Sequence, residues 1–202
     1  GGAAAVLAQQ PGAELTGSIE ADHGLQALRP ARPCLAGQRW EWDGVAFEVL
    51  HPLAGGDAPA PRPPRPNTLS CVLRVVAAGA EAPSVLLVGD IEAAQEQALV
   101  ARGAVLQADL LLVPHHGSKT SSSPALLEAV RPRTALVQAG YRNRFGHPAP
   151  DVLQRYRERN IRVVESSRCG AATWVSAAPD AVACERDIGR RYWQHSMVPR
   201  SD

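Results

Sequence analysis

Two adjacent histidines, His115-His116, directly follow the hydrophobic run Asp109-Leu110-Leu111-Leu112-Val113, and a second run, Ser84-Val85-Leu86-Leu87-Val88, ends in Gly89-Asp90. Imidazole is a leading ligand in zinc and manganese-type hydrolytic sites, and carboxylate is the usual bridge between two such ions. If the two runs are neighbouring strands, Asp90, His115 and His116 meet at one edge of a sheet, where α/β architectures place their chemistry. His147, fixed between Gly146 and Pro148 after a third run at 134–139, adds a further ligand or a general acid. The chemistry these residues suggest is metal-assisted hydrolysis. Asp90, His115, His116 and His147 are its candidate catalytic and metal-binding groups, and the choice of ligand within the His115-His116 pair is open.

Anion-binding groups surround these positions. Gly117 would let backbone approach an anion, and Ser118, Lys119 and Thr120 offer donors just before a predicted helix. Arg142, Asn143 and Arg144 lie in the loop that leads to His147, where the arginines could hold phosphate. Each feature also has an ordinary explanation. Asp90 suits the N-cap of the following helix. Ser123 alone would cap the next one, and the arginine loop could be no more than an exposed basic turn. His23, His51 and His195 lack supporting neighbours and read as structural or exposed.

The elements that must position these groups follow from the pattern. A short helix over Ala3 to Gln9 and a short strand over Ala13 to Ile19 open the chain. The strongest local signal is a hairpin: Arg39 to Trp42 and Val45 to Leu50 flank Asp43-Gly44. The run Pro59 to Pro66 is expected to be an extended, polyproline-like loop. Cys71 to Val76 and Ser84 to Val88 form a second hairpin. Beyond it the period changes to helical at Ile91 to Arg102, closed by Gly103. Strands at Leu110 to Val113, Thr134 to Ala139, Ile161 to Glu165 and Ala171 to Ser176 then alternate with helices at Ala125 to Val130, begun by Ser123-Pro124, and Asp151 to Arg159. Hairpins followed by alternating helix and strand describe an α/β fold with a mixed sheet.

The totals agree with a folded domain. A chain of 202 residues with 45% hydrophobic and 20% charged content can bury a substantial core. The net charge of +1 gives no whole-molecule attraction to nucleic acid, so such contact must come from a local patch. Lys119 is the only lysine. Cys34, Cys71, Cys169 and Cys184 are too widely spaced for a structural zinc site, and Cys169 with Cys184 is the leading disulfide candidate because the two flank a terminal hairpin. No apolar run reaches membrane-spanning length, so the segment is expected to be soluble whatever it is attached to.

Taken together, Leu-Leu-Val-Gly-Asp90-Ile-Glu, Val-Pro-His115-His116-Gly-Ser-Lys-Thr-Ser-Ser, Asn143-Arg-Phe-Gly-His147-Pro, the strand Gly170-Ala171-Ala172 and the upstream Asn67-x-x-Ser70-x-Val72-Leu73 resemble the C-terminal metallo-β-lactamase-fold domain of ComEC competence proteins. The resemblance covers roughly residues 1 to 176. It implies an α/β fold that is a partial metallo-β-lactamase-like αββα sandwich with mixed sheets, over 1–184, followed by a polar tail over 185–202. It also implies a nuclease role on DNA in natural transformation, degrading the strand that is not taken up, with a divalent metal, zinc or manganese. The expected partners are DNA and the membrane-embedded channel portion of the same polypeptide, and the expected location is the extracytoplasmic, periplasmic side of the inner membrane. Two alternatives stand beside it: a catalytically inactive DNA-guiding module, and a metallo-hydrolase of small esters or lactones. The first metal motif of that superfamily, His-x-[His/Asp]-x-Asp-His, is not in this sequence. Gly1-Gly2-Ala3 looks like the residues that follow it, so the segment alone is expected to bind metal weakly and to hydrolyse little.

Overall fold

The computed structural model describes residues 2–55, 65–79 and 82–189. Residues 56–64, which hold most of the proline-rich run, and residues 190–202, which hold His195 and the Arg-Tyr-Trp motif, lie outside the described residues. Pro66 itself opens a 3-10 turn, Pro66–Leu69, instead of continuing an extended run.

The N-terminal third is made of small pieces. Helix α1 (Ala3–Gln9) has the expected bounds. The strand expected over Ala13 to Ile19 shrinks to β1 (Leu15–Thr16), because its partner is equally short. Helix α2 (Gly24–Leu28) and β2 (Ala31–Arg32), which pairs parallel with β1, come from a stretch with no clear apolar period. His23 accepts the Leu25 N–H at 3.1 Å and so caps α2.

The Asp43-Gly44 turn joins β3 (Arg39–Trp42) to β4 (Val45–His51), with both turn residues at positive φ, 50° and 76°. Trp40 and Phe47 face each other across the pair and stack with centroids 5.1 Å apart. Strands β5 (Val72–Val76) and β6 (Ser84–Leu87) continue the antiparallel run. From β6 onward the pairing turns parallel. Helix α3 (Ala93–Ala101) leads to β7 (Leu110–Leu112), α4 (Pro124–Val130) to β8 (Thr134–Val137), and α5 (Pro150–Arg157) to β9 (Arg162–Glu165). The seven strands β3 to β9 lie in sequence order in one mixed sheet.

Crossovers between consecutive parallel strands share one hand and place α3, α4 and α5 on one face of the sheet. The core forms there. Leu86, Leu111 and Ala135 from the strands pack in one cluster with Leu99, Leu126, Leu127, Val130, Val152 and Tyr156 from the helices. Leu73, Leu87, Leu112 and Leu136, in register across β5 to β8, point to the opposite face and are only half-buried.

Helix α6 (Ser166–Cys169) leads into the antiparallel pair β10 (Ala172–Trp174) and β11 (Val182–Cys184), and α7 (Glu185–Ile188) follows. Cys169 and Cys184 are joined across this hairpin, as its sequence suggests, and Cys34 is joined to Cys71. No helix among the described residues is long and apolar enough to cross a membrane.

Candidate functional site

Parallel strands end together, so the segments after β6, β7 and β8 share one edge of the sheet. Gly89-Asp90, the turn Pro114–Gly117 and the loop at 138–148 therefore come side by side. The His115 N–H donates to the Gly89 carbonyl at 3.0 Å, and the Ala149 N–H to the Gly117 carbonyl at 2.8 Å, which ties the three segments together.

Asp90 does not cap α3. That position belongs to Glu92, which forms a capping box with Gln95, and the Asp90 N–H instead donates to Ser70 Oγ at 3.1 Å. With the cap supplied two residues later, the Asp90 carboxylate is free to meet His116, whose Nε2 lies 3.4 Å from Asp90 Oδ1. On the other side of that ring, Nδ1 is 2.7 Å from the Gln138 carbonyl. A carbonyl can only accept, so Nδ1 carries a proton and Nε2 is the nitrogen turned toward the carboxylate. This is the arrangement by which a backbone oxygen fixes a histidine for binding a cation or taking a proton.

His115 forms a second pair. Its Nδ1 lies 3.5 Å from Glu92 Oε1, and the Asn67 amide stands 3.5 Å from its Nε2 and 3.3 Å from the same glutamate oxygen. Both histidines of the pair hold left-handed backbone, φ 48° and 56°, a conformation that side-chain-bearing residues adopt at a cost of about 1–3 kcal/mol and that concentrates at functional sites. The His147 ring is 6.1 Å from that of His115, and its Nδ1 is buried without a hydrogen-bond partner. Burial, with His115 and His116 nearby, lowers the His147 pKa below its ordinary value. His147 is thus held toward the neutral form, which suits a ligand or base better than a proton donor.

The anion-binding candidates divide. Gly117 is buried with its open side against Pro148, and Ser118 is buried with its hydroxyl 3.2 Å from Thr120 Oγ1. Ser121 donates to the Pro114 carbonyl at 2.8 Å, Ser122 meets the Tyr156 hydroxyl at 3.0 Å, and Ser123 caps α4. Lys119 and Thr120 are exposed. In the following loop, Arg142 and Arg144 are exposed, and neither has a carboxylate partner among the described residues. Asn143 works inward: its amide donates to the Gly140 and His147 carbonyls at 3.1 and 2.6 Å and accepts the His147 N–H at 3.0 Å.

The donors are of the right kind for a divalent metal, since His116 Nε2 and the Asp90 carboxylate stand together and His147 Nδ1 is buried without a hydrogen-bond partner. They fall short in number. Among the described residues no three His, Cys, Asp or Glu side chains form a group able to hold a metal ion, so these residues do not by themselves fit one. Glu92 and Asn67 belong to the cluster although the sequence assigns them no role. Both stand inside the short motifs that surround Asp90 and Ser70, and that position was the available signal.

No family model matches the chain. It is 38% identical over 165 residues, 81% of its length, to Competence protein ComA of Neisseria gonorrhoeae, of which this covers 22%. It is 37% identical over 158 residues to Recombination protein 2 of Haemophilus influenzae, covering 77% of this chain and 18% of that protein. ComE operon protein 3 of Bacillus subtilis is 36% identical over 126 residues, 62% of this chain and 15% of its own length. The chain thus spans about a fifth of the length of the curated relatives it matches, and these relatives support a ComEC-like competence protein.

Proposed function

We propose that this chain is the part of a DNA-uptake competence protein that hydrolyses phosphodiester bonds of DNA. One observation carries the reading. Three imidazoles and two carboxylates converge at a sheet edge beside a loop whose two arginines have no carboxylate partner among the described residues. The chain's own groups have definable tasks. Lys119, Arg142 and Arg144 would hold backbone phosphate. The Nε2 of His116, next to Asp90, would take a proton from an attacking water or receive a cation. Asn67 and Glu92 would orient His115. A divalent ion, zinc or manganese, is proposed as the cofactor of the complete site, its remaining ligands coming from outside the described residues.

The proposed frame is part of a metallo-β-lactamase-like αββα sandwich over 1–184. The half-buried row Leu73, Leu87, Leu112 and Leu136 supports it, since a second sheet packed on that face would cover those side chains. The proposed location is extracytoplasmic, next to a membrane-embedded channel. All four cysteines are paired, and disulfides persist in oxidising compartments.

A second reading, an inactive module that guides DNA, is favoured by the lack of a three-ligand group among the described residues. Cleavage of end-labelled single-stranded DNA by the intact protein separates the two. Asp90→Ala and His116→Ala should each lower cleavage about a hundredfold or more, and chelation should abolish it. Unchanged cleavage in Asp90→Ala would refute the assignment. Salt-sensitive binding with no cleavage under any metal would establish the guiding module instead.

A further inference from the structure

The loop between β8 and α5 presents something the hydrolytic reading does not use. Tyr141 and Phe145 are large rings that in most loops would be turned into the core, yet they are 60% and 67% exposed. Each carries a guanidinium: Arg142 Cζ lies 5.2 Å from the Tyr141 ring centroid, and Arg144 Cζ 4.8 Å from that of Phe145. The Phe145 ring is also stacked on His147, with centroids 5.8 Å apart and planes within 17°. Along the chain the two ring-and-guanidinium pairs flank Asn143, and the second pair, through Phe145, lies against the histidine cluster.

The display is built from the backbone up. Arg142 and Gly146 have positive φ, 52° and 68°, and the three hydrogen bonds of Asn143 pinch the loop shut between them. The side chains of Tyr141, Arg142, Arg144 and Phe145 are all exposed.

Resting on the DNA reading above, we propose that Tyr141 and Phe145 form a stacking platform for the unpaired bases of a single strand, whose phosphates Arg142 and Arg144 hold beside His147. An exposed ring with a guanidinium beside it brings π surface and a cation together, and stacking of bases on such rings tolerates any sequence. In a duplex the base faces are covered by their neighbours and only the phosphates are open. The platform therefore discriminates by strandedness, not by sequence. Arginines alone would bind both forms of DNA.

The test is fluorescence anisotropy of the intact protein, with chelator present so that the probe is not consumed. The probes are oligothymidine about 20 nucleotides long and a duplex of equal length. The unmodified protein should bind the single strand at least about fivefold more tightly than the duplex. Tyr141→Ala combined with Phe145→Ala should weaken single-strand binding about tenfold or more and duplex binding less than about twofold. Tyr141→Phe combined with Phe145→Trp should restore the preference. Equal binding of both probes by the unmodified protein, an equal loss on both, or no loss in the double alanine variant would each overturn the proposal. The fate of the hydrolytic reading is measured separately. A strand preference that persists while Asp90→Ala cleaves normally sinks that reading alone. Loss of cleavage in Asp90→Ala without any strand preference sinks the platform alone.

Discussion

The loop after β7 and the loop after β8 deliver histidines to the same edge by opposite means. The first is closed on itself. Its hydroxyls bond to one another, to the Pro114 carbonyl and to Tyr156, its glycine is packed against Pro148, and a buried glutamate beneath it receives the N–H groups of Ser122 and Ser123 at 2.6 and 2.7 Å. The second is open: of the side chains from Tyr141 to Phe145 only that of Asn143 bonds inward, while two arginines and two rings are exposed. Side chains of similar polarity serve in one loop to fix a geometry and in the other to meet a partner. The difference lies in which hydrogen bonds are already satisfied within the protein.

The same substitution in each loop puts this contrast under the greatest strain. A Cβ at Gly117 would sit 2.6 Å from Pro148 Cβ and 3.0 Å from its Cα, at a φ of +79°, so Gly117→Ala should cost about 3 kcal/mol or more. A Cβ at Gly146 meets open space at φ +68°, so Gly146→Ala should cost only about 1 kcal/mol. Urea unfolding measures both, and equal costs would erase the distinction.

Next in size is the glutamate beneath the closed loop. Burial raises the Glu96 pKa above 4.5, against the pull of the Ser123 and Ser122 hydrogen bonds and of Arg155. The folded state therefore holds this proton more tightly than the unfolded chain. The resulting stabilisation is full below pH 4.5 and is lost as pH rises through the raised folded value. Glu96→Gln should remove that slope, while the loss of one acceptor costs about 1–2 kcal/mol. Unfolding free energies measured across this pH range provide the check, and an unchanged slope would place its origin elsewhere.

Smaller effects belong to the open loop. Arg142→Ala and Arg144→Ala should leave stability within about 0.5 kcal/mol and lower the salt dependence of DNA binding by about one phosphate contact each. Smallest of all is Ser118→Ala, expected to cost under about 1 kcal/mol of stability and to leave DNA affinity unchanged within about twofold. A DNA-binding defect in Ser118→Ala would move the closed loop into the substrate surface.

The sequence made the elements legible where local chemistry decides them. Asp43-Gly44 announces its hairpin and Ser123-Pro124 its helix, because turn and cap depend on adjacent residues. Leu110 to Leu112 reads as a buried strand from its continuous apolarity. Two kinds of feature stayed hidden. Helix α2 and β2 carry no period, and they are held by single contacts such as the Gln26 side chain, which accepts the Ala31 N–H at 2.8 Å. Within the site, the residue types and the shared edge were visible. The division of labour between Asp90 and Glu92 was not, since either carboxylate suits an N-cap and only the packed chain shows which one serves. Asn67 lies 48 residues from the histidine it approaches, a separation no local pattern encodes. The inward turn of Ser118 and Ser121 was hidden for the same reason, because a hydroxyl's partner is a property of the folded chain.

The link between Cys34 and Cys71 has a mechanical consequence. It closes residues 34 to 71 into a covalent ring, with a sequence separation of 37, that contains the whole β3–β4 hairpin and the turn bearing Asn67. Tension along the chain passes through the sulfur bridge and bypasses everything inside the ring. At about 3.3–3.6 Å per extended residue, roughly 120 Å of contour is withheld from stretching. The hairpin can melt under load without lengthening the molecule, and the turn that orients His115 keeps its anchor at β5 until the bridge itself is cut.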